Sequence, residues 1–284
     1  MTKAFCPGHI TCFFSPMLTD DPMTSGSLGA GIRLDKGVTV ALEERSDAKI
    51  VTTMDGETCD AKVSKRVIEM MAPGTGFDVT MENELPVSQG LGMSAAGAVA
   101  VGLCVSSFTG ADELDAYRMA HIAELEKRGG LGDVAGIMGG RQPVRIKAGI
   151  PPFGRVIDTG ITMKVTVATL GPKVNTGSVL GDNEAMGRIR RVGIQCVNEY
   201  INKPTESSLY EISSRFSRSI GLETTEIRNA LLSMRAHHKA SVCMLGNTIF
   251  TDASKTETSE ILGDDISVTE CSSCSKGPKI TRKA

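Results

Sequence analysis

The chain has 284 residues, 40% of them apolar and 23% charged, with a net charge of −2 and only 4% aromatic residues, none of them tryptophan. That length can bury a substantial core, in one large domain or two ordinary ones, and the composition is that of an ordinary soluble protein. Near-neutral charge and scarce aromatics exclude a basic field or a base-stacking platform for nucleic acid, and no run of about 18 apolar residues offers a membrane span.

Residues 29–34 and 37–44 read as strands, since Val38, Val40 and Leu42 alternate with Thr39, Ala41 and Glu43. Residues 48–54 and 77–83 read as a further pair, with a short helix around 62–71 between them. A helix of small residues is expected over 94–108. A second follows at roughly 112–127, with Asp112 as its N-cap and Gly129-Gly130 as its stop. Val165, Val167 and Ala168 suggest a strand, helical patterns follow at about 183–201, 207–219 and 223–236, and a buried strand is expected around 240–250. Regular βαβ alternation is missing, so the fold class is α+β rather than doubly wound. Pro151-Pro152-Phe153-Gly154 breaks the chain, which places a domain boundary near 150–160.

The first residues lack a basic stretch followed by an apolar one, so secretion is not expected. Cys104, Cys196 and Cys243 lie in apolar segments and read as buried thiols in a reducing cytoplasm. Cys271-Ser-Ser-Cys274 has no second ligand pair at zinc spacing. With residues 275–284 it reads as a loosely ordered, solvated tail holding two surface thiols.

The main functional signal is residues 86–97, Pro-Val-Ser-Gln-Gly-Leu-Gly-Met-Ser-Ala-Ala-Gly. A glycine turn entering a helix can wrap backbone N–H groups around a phosphate, and the helix start adds a field that favours an anion. Gly90 and Gly92 remove the Cβ atoms that would hold a phosphate off, and Ser94 offers a hydroxyl to phosphate, to Mg²⁺ or to the helix cap. No Gly-Lys-Ser/Thr follows, so this is not a Walker A loop. Gly90, Gly92 and Ala95, with Asp112 and Glu113 about 20 residues on, meet the loose dinucleotide pattern. Polar residues and Pro86 stand where that pattern wants a buried strand. A glycine turn before a close-packed helix is the purely structural alternative.

Pro86-x3-Gly90-Leu91-Gly92-x-Ser94-Ala95-Ala96 resembles the phosphate-loop signature of the GHMP kinases, a superfamily that includes galactokinase, homoserine kinase and mevalonate kinase. Cys6-Pro7-Gly8-His9-Ile10 resembles its N-terminal motif, and Gly132-Asp133-x5-Gly139-Gly140 its catalytic-aspartate region. Order and spacing agree, and the likeness runs over nearly the whole chain. Within the superfamily the chain most resembles the archaeal pantoate kinases. That likeness rests on Pro7–Thr11, Gly26–Gly31, Gly130–Val134 and Ser241–Asn247.

The resemblance implies a two-domain α+β GHMP kinase fold with its active site in the interdomain cleft. Residues 1–155 would form the N-terminal ATP-binding domain, 156–270 the C-terminal domain and 271–284 the tail. It also implies a cytoplasmic kinase that uses ATP and Mg²⁺ to convert pantoate to 4-phosphopantoate on the way to coenzyme A. Homoserine, shikimate or mevalonate kinases are alternatives in the same class; a non-catalytic nucleotide sensor and, more remotely, a dehydrogenase are alternatives from others. The expected partners are the small-molecule substrate and a second copy of the chain, with no nucleic acid and no membrane.

In this resemblance Gly90, Leu91, Gly92, Met93, Ser94, Ala95 and Ala96 bind phosphate, Ser94 and Glu124 hold the metal, and Asp133 receives or orients the substrate proton. Glu126 competes with Glu124, but it points about 200° around the helix from it. His121, one turn before Glu124 on the same face, reads as a substrate contact or as a structural imidazole. A pantoate carboxylate needs a cation; Arg145 is the first candidate and Arg141 its rival, with Ser27 as a further donor. His9 stands where some relatives carry a lysine and reads as a substrate contact. Cys243–Asn247 has a single glycine, Gly246, where many relatives have a cluster. Met93-Ser94 stands where relatives often have Ser-Ser, and His237-His238 reads as a helix end.

Overall fold

Two long strands, β1 (Thr2–Met17) and β2 (Gly26–Glu44), form an antiparallel hairpin from which the rest of the first sheet grows. The computed structural model describes residues 1–172 and 183–283. β2 continues through Asp35 and Lys36, so the two strands expected over 29–34 and 37–44 are one. The pairing shifts register at Gly8 and again at Cys12. Such bulges re-aim side chains, and here they bracket His9–Thr11, the stretch of β1 that faces the functional site.

On the far side of β2 lies β5 (Phe77–Asn83), then β3 (Ile50–Met54), parallel to β5, and β4 (Glu57–Thr58). β6 (Pro143–Lys147) pairs with the start of β2 and forms a hairpin with β7 (Arg155–Asp158). The Pro151–Gly154 segment is the turn of that hairpin, so the chain leaves the first sheet only after Asp158. Against this sheet pack α2 (Met93–Thr109) and the short α4 (Asp133–Met138), while α1 (Lys62–Met71) and α3 (Glu113–Glu126) pack on α2 and on each other. Asp112 caps α3 by accepting from the Leu114 N–H at 2.8 Å, as its sequence position predicts. α2 is buried nearly all round because it lies between β1, β2, α1 and α3. Its small residues let these neighbours approach, and a Cβ on Gly102 would lie 2.9 Å from Ala116.

The second sheet is antiparallel, in the order β11 (Ser267–Ser272), β8 (Lys164–Thr169), β10 (Thr248–Thr251), β9 (Ala240–Val242). The single strand expected around 240–250 is therefore a hairpin, whose loop, 243–247, reaches the site. Helices α5 (Asn183–Asn202), α6 (Glu206–Ile220), α7 (Thr225–Arg235) and α8 (Lys255–Leu262) complete this half. α5 and α6 cover β1 on the side away from α2, which is why β1 is buried on both faces.

The C-terminal stretch is built into the fold, contrary to the tail expected over 271–284; Ala284 lies outside the described residues. β12 (Lys279–Arg282) pairs with β1, and the buried Arg33 donates to the carbonyls of Cys274, Ser275 and Ile137 at 2.6–3.0 Å. A buried guanidinium needs those acceptors, and they fix the chain that carries them. Cys271 is buried, and all eight cysteines are free thiols. Ending the chain after Cys274 should cost about 2 kcal/mol, or roughly 4–8 °C in Tm. An unchanged melting curve would mean that the segment is a passive tail after all.

Candidate active site

The phosphate loop enters α2 through Gly92, whose φ of 64° is left-handed, after Gly90 at 78° and Ser88 at 63°. The two glycines are required by packing as well as by conformation. A Cβ on Gly92 would lie 2.8 Å from the His9 carbonyl, and one on Gly90 would lie 2.7 Å from that of Cys243. What a Cβ at either position would meet is the backbone of β1 or of the β9–β10 loop, a packing reason for glycine that the sequence did not show. No side chain caps α2, so its first N–H groups stay free to meet an anion in the cleft. Ser94 is no cap either, because its hydroxyl donates to Glu124 Oε1 at 2.6 Å.

This loop forms one wall of a cleft of about 470 Å³. The opposite wall is the Lys127–Asp133 turn with Glu124, and Thr11, Ser27, Met244 and Leu245 close the ends. A second, more apolar pocket of about 260 Å³ adjoins it, between Met54, Val63, Met81 and Val87, and shares Lys62, Ser94 and Lys127 with the cleft.

Glu124 is 3% exposed, and no cation pairs with it among the described residues. Burial pushes its carboxyl up to about 7, the Ser94 hydrogen bond opposes this, and the charge of Asp133 adds to it. A buried carboxylate beside a hydroxyl, open to a cleft and without a counter-charge, is a donor set suited to a hard divalent cation. Glu126 is occupied elsewhere, in an exposed ion pair with Arg66 at 2.7 Å.

Asp133 opens α4, with about a quarter of its side chain exposed to the cleft. Both of its donors converge on Oδ1: His9 Nδ1 at 2.8 Å and Thr11 Oγ1 at 3.1 Å. Burial alone would raise this carboxyl, but the His9 hydrogen bond, the charge of Arg145 and the Thr11 hydroxyl hold it below its ordinary value. The ionised form, with Oδ2 free of protein donors, is what a proton acceptor requires.

Arg145 projects from β6, opposite Gly29 of β2, is 1% exposed and does not itself line the cleft, lying directly behind Ser27 and Gly132, which do. None of its three guanidinium nitrogens has a hydrogen-bond partner. Its fork lies against Ser27 and Gly132, since a Cβ on Gly132 would meet Arg145 Nε at 2.7 Å and clash with Ser27 Oγ. A buried guanidinium left without acceptors marks a place where an anionic group belongs. Its rival Arg141 is half-buried and donates through Nη1 to the Gly160 carbonyl and Thr162 at 3.0–3.1 Å.

Two expected substrate contacts are placed otherwise. His121 Nε2 lies 3.1 and 3.0 Å from the carbonyls of Pro22 and Ser25, so the ring anchors the β1–β2 turn instead of lining the cleft. His9 is fully buried behind Asp133 and is also absent from the cleft wall. Sequence reasoning missed Thr11, although it stands two residues from His9 and therefore on the same face of β1. It also missed how the β9–β10 loop seats on the phosphate loop, with the Asn247 N–H donating to Gln89 Oε1 at 3.1 Å and Gly246 against the Gln89–Gly90 backbone.

Residues 61–141 match the model of the GHMP kinases N terminal domain. The pantoate kinase of Thermococcus kodakarensis is 33% identical over 264 residues, spanning 88% of this chain and 87% of that protein. The pantoate kinase of Methanocaldococcus jannaschii is 28% identical, spanning 93% and 96%. A solved structure described as a phosphotransferase related to the CoA biosynthesis pathway superposes with a TM-score of 0.89 at 28% identity, covering 99% of this chain and 98% of that one. A mevalonate kinase crystal structure shares the fold, at a TM-score of 0.66 and 14% identity, covering 96% and 99%. On the family match and the 33% identity over most of both chains, the chain belongs to the GHMP kinases, a family of ATP-dependent kinases.

Proposed function

We propose that the chain is a pantoate kinase, which transfers the γ-phosphoryl group of ATP to pantoate and yields 4-phosphopantoate for coenzyme A synthesis. The observation that carries this reading is the unpaired, buried guanidinium of Arg145 beside Asp133. It supplies a buried cation for a carboxylate next to the group that handles the hydroxyl, which a hydroxy acid needs and a neutral sugar does not. The pantoate kinases at 28–33% identity support the same substrate. Free thiols throughout suit a reducing cytoplasm.

The apolar pocket between Met54, Val63, Met81 and Val87 receives the nucleoside, and the N–H groups opening α2 receive phosphate oxygens. Ser94 and Glu124 would hold Mg²⁺, which when bound offsets the charge spread over the phosphate oxygens. Arg145 and Ser27 grip the carboxylate of the acid and so direct its hydroxyl toward Asp133. Asp133 Oδ2 takes the hydroxyl proton as that oxygen bonds to the γ-phosphorus. The bond from phosphorus to the β,γ-bridging oxygen breaks, and ADP leaves.

The test is ADP release from Mg-ATP with pantoate, pantothenate, homoserine, shikimate and mevalonate as separate acceptors. Turnover with pantoate alone is the expected result. Turnover only with another alcohol would keep the mechanism and discard the substrate, and nucleotide binding without any turnover would make the chain a sensor.

A further inference from the structure

We infer that His9 is a positioning residue for Asp133: its Nδ1–H fixes the carboxylate through Oδ1, so that Oδ2 alone meets the substrate hydroxyl. The inference rests on Asp133 being the proton acceptor proposed above.

The ring's surroundings decide between a contact, a proton relay and a prop. His9 is fully buried, and Asp133 stands between it and the cleft, so it cannot touch substrate. Its Nε2 is sealed in without a partner, and a Cβ on either Gly31 or Gly136 would clash with that atom. With no acceptor at Nε2, an imidazolium would bury an unsatisfied N–H, whereas the neutral Nδ1–H form leaves only a lone pair there. Burial disfavours the charged ring most, the hydrogen bond to Asp133 and its charge oppose this, and the guanidiniums of Arg145 and Arg33 add to burial, so that the ring is held below its ordinary value. The sealed Nε2 also gives a proton no exit, which excludes a relay through the ring.

What remains is a neutral donor held between two glycines and aimed at one carboxylate oxygen. Thr11, on the same face of β1, gives the same oxygen a second hydrogen bond. Two donors on Oδ1 remove the rotation that would let either oxygen face the cleft. The register shifts at Gly8 and Cys12 set off the three residues that present this pair.

Asparagine places an amide nitrogen near the position of the imidazole Nδ1, while glutamine reaches toward Nε2. His9→Asn should therefore keep kcat within about threefold of the wild type. His9→Gln and His9→Ala should lose on the order of 10–100-fold in kcat with the KM for ATP unchanged. Equal kcat for the Asn and Gln variants, whether both high or both low, would overturn the assignment. Should these variants not fold, the wild-type nitrogen-15 imidazole spectrum decides the tautomer. His9 must show a protonated Nδ1 and a bare Nε2 near neutral pH, and an imidazolium or the opposite tautomer would overturn the assignment. Asp133→Asn separates the two levels: if it retains turnover, the reading of Asp133 fails, whereas if it is inactive while His9→Gln is not, only the role of His9 fails.

Discussion

Asp133→Asn should remove nearly all turnover and leave ATP binding as it is. The substitution conserves shape, and the remaining amide oxygen can still accept from His9 Nδ1 and Thr11 Oγ1, which now lie at 2.8 and 3.1 Å from Oδ1. An amide nitrogen then stands where Oδ2 was, and it cannot take a proton. General-base loss of this kind costs about 10²–10⁴-fold. The nucleotide contacts assigned to the phosphate loop and the apolar pocket lie outside this change. Calorimetric ATP affinity should therefore match the wild type while ADP release with pantoate falls to background. Wild-type turnover would take the proton-handling role away from Asp133. A parallel loss of ATP binding would mean that the carboxylate serves the nucleotide or its metal instead.

The elements legible in the sequence are those whose signals are local. α1 and α3 begin and end where the apolar spacing and the Asp112 cap place them, and β3, β5 and β8 lie where short alternating runs predict strands. The resemblance assigns Glu124 and helix geometry turns Glu126 away from it; the fold buries Glu124 beside Ser94 and pairs Glu126 with Arg66 at the surface. β1 was hidden for a tertiary reason: buried between α2 on one side and α5 and α6 on the other, it shows no alternation. With β1 unseen, the two-residue spacing of His9 and Thr11 could not be read as a shared face, and no local signal showed that His9 stands behind the aspartate. The tail is a similar case. Its lysines and arginine look solvated in sequence, and what holds it down is long-range: the pairing of β11 with β8 and of β12 with β1, and the carbonyls that accept from Arg33. Glycines mislead in another way, because a pattern shows that a Cβ is unwelcome but not what would meet it. At Gly90 and Gly92 that neighbour is backbone from distant strands.

Arg145→Met should raise the KM for pantoate by about 30–4,000-fold, the equivalent of the 2–5 kcal/mol lost when one member of a buried, hydrogen-bonded charge pair is removed. The KM for ATP should barely change, because the guanidinium stands with Ser27 and Gly132 rather than with the phosphate loop. Arg145→Lys should not restore the acid, since an ammonium lacks the flat two-pronged face that a carboxylate uses. The same substitution should leave the melting temperature of the ligand-free protein equal or raise it. A guanidinium that is 1% exposed and unpaired at all three nitrogens carries a desolvation cost of several kcal/mol that no protein acceptor offsets. Methionine fills much of the space without that cost. Adding pantoate should then raise the Tm of the wild type by mass action and leave that of the variant unmoved. An unchanged acid KM would place the carboxylate elsewhere in the cleft. A sharp fall in Tm would show that Arg145 supports the fold itself. A variant that is more stable and yet unable to hold its substrate would mean that this site keeps an unfavourable buried charge because the substrate completes it.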